Sequence, residues 1–129
     1  MISTRTDAEK FAEAWAQAWN RRDAEAVLAH FGDDIIFASP TALAVTGSPV
    51  VHGKDALREY WTKALAQCGS IRFSVLRVLW DAASRELAII YLADIDGRTR
   101  TVSENLIFGD DGLVATAEVF HGVPAPSER

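Results

Sequence analysis

At 129 residues, 49% of them apolar, with a net charge of −5, the chain has the composition of one globular domain able to build its own core. The acidic balance offers no clustered basic surface, which excludes nucleic acid as a partner, and no apolar run reaches the roughly 18–20 residues that cross a bilayer, which excludes a membrane span. A single cysteine, Cys68, excludes an internal disulfide and any multi-cysteine zinc site. The first residues, Met1-Ile2-Ser3-Thr4-Arg5-Thr6-Asp7, lack the apolar core of an export signal, so the expected location is the cytoplasm.

Thr6-Asp7-Ala8-Glu9 has capping-box spacing and predicts the start of a first helix. Phe11, Trp15, Ala18 and Trp19 follow at three- and four-residue intervals and draw one apolar stripe along it. That helix ends in Trp19-Asn20-Arg21-Arg22-Asp23. Asp23 then caps a short second helix with Ala26, Val27 and Phe31 on its buried side. Asp33-Asp34 reads as an acidic turn opening the apolar strand Ile35-Ile36-Phe37-Ala38, which stops at Ser39-Pro40. Residues 39–52 hold Pro40, Gly47 and Pro49 and predict a loop, with a short strand at Val50-Val51. A third helix covers 54–67, with Gly69 as its stop.

The period then changes from that of a helix to that of a strand. Ile71, Phe73, Val75 and Leu79 alternate with polar residues up to a turn near Ala82–Ser84. Leu87, Ile89, Tyr91 and Ala93 alternate up to Asp96-Gly97, a strong hairpin turn. Thr99–Phe108 and Leu113–His121 form the last pair around Gly109-Asp110-Asp111-Gly112, and Pro124–Arg129 reads as a polar tail. The middle strands are apolar on both faces, whereas a sheet covered by helices on one side needs only one apolar face. The second face, carrying Leu76, Val78, Ile90 and Leu92, with Trp80 beside it, predicts a homodimer packed sheet to sheet.

The order helix, helix, strand, helix, then strands only resembles the nuclear transport factor 2-like (NTF2-like) superfamily, which includes ketosteroid isomerase and the SnoaL-like polyketide cyclases. The strongest local likeness lies in Arg-Asp-Ala-Glu-Ala (22–26), the step from Asp33-Asp34 to Pro40, and His-Gly-Lys-Asp (52–55). It covers roughly residues 8–122 and implies an α+β cone: three N-terminal helices packed on a strongly curved, mixed, mostly antiparallel sheet around an inner pocket. Laid over ketosteroid isomerase, the catalytic base falls on Ser39 and the oxyanion tyrosine on Trp15. The supporting tyrosines fall on Phe31 and Trp61, and the protonated acid on Glu104. A serine cannot take a carbon-bound proton without a base to activate it, and an indole N–H cannot shift charge as a phenol does. The resemblance therefore implies the pocket but not steroid isomerisation.

Alternation places Ile35, Phe37, Ser39, Ile89, Tyr91, Ala93, Val102, Glu104, Ala117, Val119 and His121 on the inner face, closed by Trp15, Trp19, Tyr60 and Trp61. The candidate catalytic pair is Glu104 and His121. If Phe108 pairs with Leu113, Glu104 faces Ala117, His121 faces Arg100, and the pair stands on the order of 13 Å apart along the sheet. Glu104 is either a buried acid with a raised pKa or a rim carboxylate paired with Arg100. His121 is either a base near neutral pH or a rim residue. Trp15, Trp19, Phe37, Ser39, Tyr60, Trp61, Tyr91, Val102 and Val119 are the candidate ligand-binding residues. Three scattered histidines without paired spacing give no metal site, and no cofactor is implied. The expected partner is a small, largely apolar carbonyl or polyketide-like molecule. An isomerase-, cyclase- or hydrolase-type enzyme, a non-catalytic binding module and a dimeric scaffold all fit this reading.

Overall fold

A computed structural model describes residues 1–124. Helix α1 (Arg5–Asn20) starts two residues earlier than the Thr6 reading, because the capping box is Thr4 with Asp7. The Thr4 hydroxyl accepts from the Asp7 N–H (3.1 Å) and the Asp7 carboxylate accepts from the Thr4 N–H (3.2 Å). Its buried face alternates alanines at 8, 12 and 16 with Trp15 and Trp19, so the backbone can lie close to the sheet while the indoles reach into it. Asp23 caps helix α2 (Ala24–Leu28) through the Ala26 N–H at 3.1 Å, as the spacing predicts. Phe31 is fully buried but belongs to strand β1 (Phe31–Ala38), not to α2. Asp33 and Asp34 do not end an element either. They sit inside β1, where its pairing shifts register between Phe31 and Ile36.

The expected loop after Ser39 contains a helix, α3 (Pro40–Thr46), so four helices form among the described residues rather than three. Pro40 does not break the chain into loop here. At the first helical position its missing N–H costs nothing, and Ser39 caps the helix by accepting from the Thr41 N–H (3.2 Å). Gly47 closes it at φ 84°, a left-handed conformation that glycine adopts without strain. Strand β2 (Val50–His52) and helix α4 (Lys54–Gln67) follow. Cys68 caps α4, while Gly69 donates its N–H to Asp96 Oδ1 at 2.8 Å instead of ending the helix.

Four long strands make the rest: β3 (Ile71–Asp81), β4 (Glu86–Ile95), β5 (Arg98–Phe108) and β6 (Val114–Pro124). Pro124, read as the start of the tail, pairs with Arg100 at the end of β6; the remainder of that tail lies outside the described residues. The sheet order is β2-β1-β6-β5-β4-β3, antiparallel except for the parallel β1/β6 pair. Helices on a six-stranded mixed sheet give the expected α+β cone.

Two irregularities move side chains from their expected places. In β3 the pairing skips Leu76, which puts Val78 opposite Ile89 and Trp80 opposite Leu87, on the inner face. Val78 is therefore core (3% exposed) rather than part of the outer patch, and Trp80 packs against Phe108 at 6.2 Å. The outer face keeps Leu76, Ile90 and Leu92 and gains Leu79, Ile107 and Phe120. At the other end, Leu113 stays in the turn, its carbonyl accepting from the Gly109 N–H (2.8 Å), and Phe108 pairs with Val114. The pairing then skips Ala115. Glu104 consequently faces Val119 rather than Ala117, and His121 faces Val102 rather than Arg100. A shift of two residues leaves both on the inner face but halves their separation to about 7 Å along the sheet.

Candidate functional site

Between α1, α3, α4 and the concave face of the sheet lies a cavity of about 310 Å³, at the lower end of the range for small-molecule pockets. Aromatic pairs build its walls. Trp19 meets Trp61 edge-on at 4.8 Å, Phe37 meets Trp61 at 5.5 Å, and Phe73 lies 4.7 Å from Tyr91. Such rings are locked by one another, so the walls are preformed rather than soft. Asn20, at the end of α1, fixes Phe73 from behind: its side-chain amide donates to the Phe73 carbonyl (3.0 Å) and its Oδ1 accepts the Phe73 N–H (2.6 Å). Sequence reasoning missed this clamp, because an asparagine at a helix end normally signals only a cap.

Glu104 lies in this apolar setting, 5% exposed and, among the described residues, without a cationic partner. Burial pushes its carboxyl from the ordinary 4.5 up to about 8, since the charged form loses hydration that nothing replaces. The Trp15 indole N–H pulls weakly the other way, yet neither Trp15 Nε1 nor Glu104 Oε2 closes a well-formed hydrogen bond. A buried carboxyl oxygen without a partner is costly in a folded protein, and protonation lowers that cost by removing the charge. The two tyrosines feel the same acid. Burial first, partly offset by the Ser39 side chain and supplemented by the Glu104 charge, raises Tyr60 to about 12. Burial first, then Glu104 and Tyr60, raises Tyr91 well above its usual value. Both phenols stay protonated and can only donate or accept hydrogen bonds.

His121 is exposed at the rim. Its Nδ1 lies 3.0 Å from Arg100 Nη1, and because a guanidinium only donates, Nδ1 accepts and the ring proton resides on Nε2. Burial and then the Arg100 charge lower its pKa, so the ring is neutral at neutral pH. The lone pair that a general base needs is already occupied. Arg100 thus partners His121, not Glu104 as the rim alternative required.

Of the residues expected at the ligand, Trp19, Phe37, Ser39, Tyr60, Trp61, Tyr91, Val102 and Val119 line the cavity together with Glu104 and His121. Trp15 is buried one layer back, edge-on to Tyr91 at 4.9 Å. Ser39 serves as the α3 cap, which explains its burial without a nucleophilic role. Thr41 and Val45 also line the cavity, and sequence reasoning misses them because it takes 39–52 for a loop; the pattern Ser-Pro, then six residues before Gly47, is the available signal. His30 stacks edge-on to Phe11 (4.9 Å) and His52 lies on β2, so the histidines do not converge, and among the described residues no group of metal-ligating side chains gathers.

A family model described as a SnoaL-like domain matches residues 12–126. The chain belongs to the SnoaL-like family. Among solved structures it is similar to a SnoaL-like protein of unknown function from Burkholderia thailandensis, with 27% identity, a TM-score of 0.82, and 93% of this chain and 98% of that one covered. An NTF2-like protein of unknown function from Burkholderia pseudomallei superposes with a TM-score of 0.75 at 17% identity, covering 94% and 92%. TerC, co-crystallised with polyporic acid, gives a TM-score of 0.73 at 13% identity over 89% and 91%; these last two share the fold. Among curated proteins, no sequence matches.

Proposed function

We propose that this SnoaL-like protein binds a small, largely apolar carbonyl compound in the cone, with neutral Glu104 donating a hydrogen bond to the ligand oxygen. The observation that carries the reading is the Glu104 carboxyl, buried, predominantly protonated at neutral pH, and with Oε2 unpartnered among the described residues. The aromatic walls supply the apolar contact, and the Tyr60 and Tyr91 hydroxyls, electrostatically coupled to that carboxyl, are further polar groups of the pocket. The co-crystal of TerC, a protein of this fold, with polyporic acid is consistent with a small organic guest. A second reading, an acid–base enzyme, is favoured by the same carboxyl. A group titrating at about 8 can both give and take a proton near neutral pH, and Glu104 would then act without His121 as its base. Two copies are proposed to pair through the outer sheet face, where Leu79, Ile107 and Phe120 are exposed.

Native mass spectrometry of freshly expressed protein should reveal a co-purified small molecule, and tryptophan fluorescence should respond to an aryl ketone such as acetylnaphthalene. Glu104→Gln should retain most of that binding, because an amide donates comparably, and Glu104→Leu should lose it. Equal binding to all three proteins would refute the role given to Glu104.

A further inference from the structure

The mouth of the cavity carries a second polar feature that a purely apolar ligand would leave unused. Between Arg100 and Val102 the β5/β6 pairing skips a residue: Arg100 is opposite Pro124, whereas Val102 is opposite His121. Gly122 sits in that bulge. A Cβ there would stand 2.7 Å from the Thr101 carbonyl oxygen, so the close approach of the two backbones requires glycine. Next to this bulge the His121 ring meets the Arg100 guanidinium. On its other side Arg100 is opposite Ala93, a cavity-lining residue of β4. Arg100 therefore shares the inner face with Val102 and Glu104.

Among the described residues Arg100 is hydrogen-bonded to His121, and no carboxylate pairs with it there. A guanidinium carries five N–H donors in a fork that suits a carboxylate, and the neighbouring His121 keeps one more on Nε2. Arg100 lies four positions from Glu104 along β5, on the order of 13 Å between backbones, with His121 about halfway. We propose that Arg100 and His121 form an anion clamp at the mouth, and that the ligand is an apolar acid whose carboxylate rests there while its carbonyl reaches Glu104. This rests on the carbonyl-binding reading above and adds the opposite end of the ligand.

The test uses benzoylpentanoate, an aryl ketone with a carboxylate at the end of a four-carbon chain, and its uncharged methyl ester. Binding of each is followed by amide and indole shifts in nitrogen-15 NMR spectra, which also show that every variant is folded. The wild type should bind the acid about tenfold more tightly than the ester, as expected for a charge-assisted contact at a partly exposed rim. Arg100→Gln should bring the two affinities together by weakening the acid alone, Arg100→Lys should keep part of the preference, and Glu104→Leu should weaken both compounds alike. Equal binding of acid and ester to the wild type, or a preference that survives Arg100→Gln, overturns the clamp and leaves the carbonyl reading standing. Failure of both compounds to bind the wild type removes the two readings together.

Discussion

The raised pKa of Glu104 makes the protein's stability depend on pH in a direction opposite to that of most carboxylates. The folded state holds the Glu104 proton up to about pH 8, whereas the unfolded chain releases it near 4.5. Between those values the folded state binds more protons, so stability falls as pH rises, and the loss is complete above pH 8. At about 1.4 kcal/mol per unit, the cost of holding the charged form is about 3–5 kcal/mol, a large fraction of the stability of a domain this size. Glu104→Gln keeps the shape and removes the charge. Urea unfolding followed by tryptophan fluorescence should therefore show the variant gaining on the wild type by that amount between pH 5 and 8.5, with the two close together at the acid end. His30 and His121, both with lowered pKa values, titrate with the opposite sign, but they are common to both proteins and cancel in the difference. Parallel pH profiles, or a carbon-13 titration placing Glu104 at or below 4.5, would refute the reasoning.

Gly122→Ala forces a methyl group against the Thr101 carbonyl and should cost about 1–3 kcal/mol in urea unfolding; it should also let the His121 pKa rise toward its ordinary value, read by proton NMR, as the ring leaves Arg100. Ser39→Ala removes the α3 cap and should cost about 1 kcal/mol; a loss near zero would mean that Ser39 is buried for another reason. Light scattering should give twice the 14.1 kDa chain mass, and Phe120→Glu should yield folded monomer; a monomeric wild type at micromolar concentration ends the dimer reading.

Periodicity alone carried the inner face a long way. Alternation along β4 and β5 is local and regular, so Ile89, Tyr91, Val102 and Glu104 could be assigned to one side before any contact was known. Glu104 is conspicuous in the sequence because a carboxylate at an inward position, among valine and leucine, has no local reason to be there. The Asp23 cap and the Asp96-Gly97 turn were legible for the same reason, since a cap or tight turn is settled within a few residues. What the sequence does not determine is any offset accumulated across a strand pair. The skipped residues at Leu76 and Ala115 cost little locally, and they are stabilised only by the packing of Val78 and Trp80 inward and by the turn that retains Leu113. The close approach of Gly122 to Thr101 likewise exists only once two strands have met. Tertiary structure therefore decided three things: that Val78 joined the core, that His121 came within two positions of Glu104, and that Arg100 went to the histidine rather than to the acid. Each is a consequence of bringing distant segments together, where whole-sheet packing outweighs the preference of any single turn.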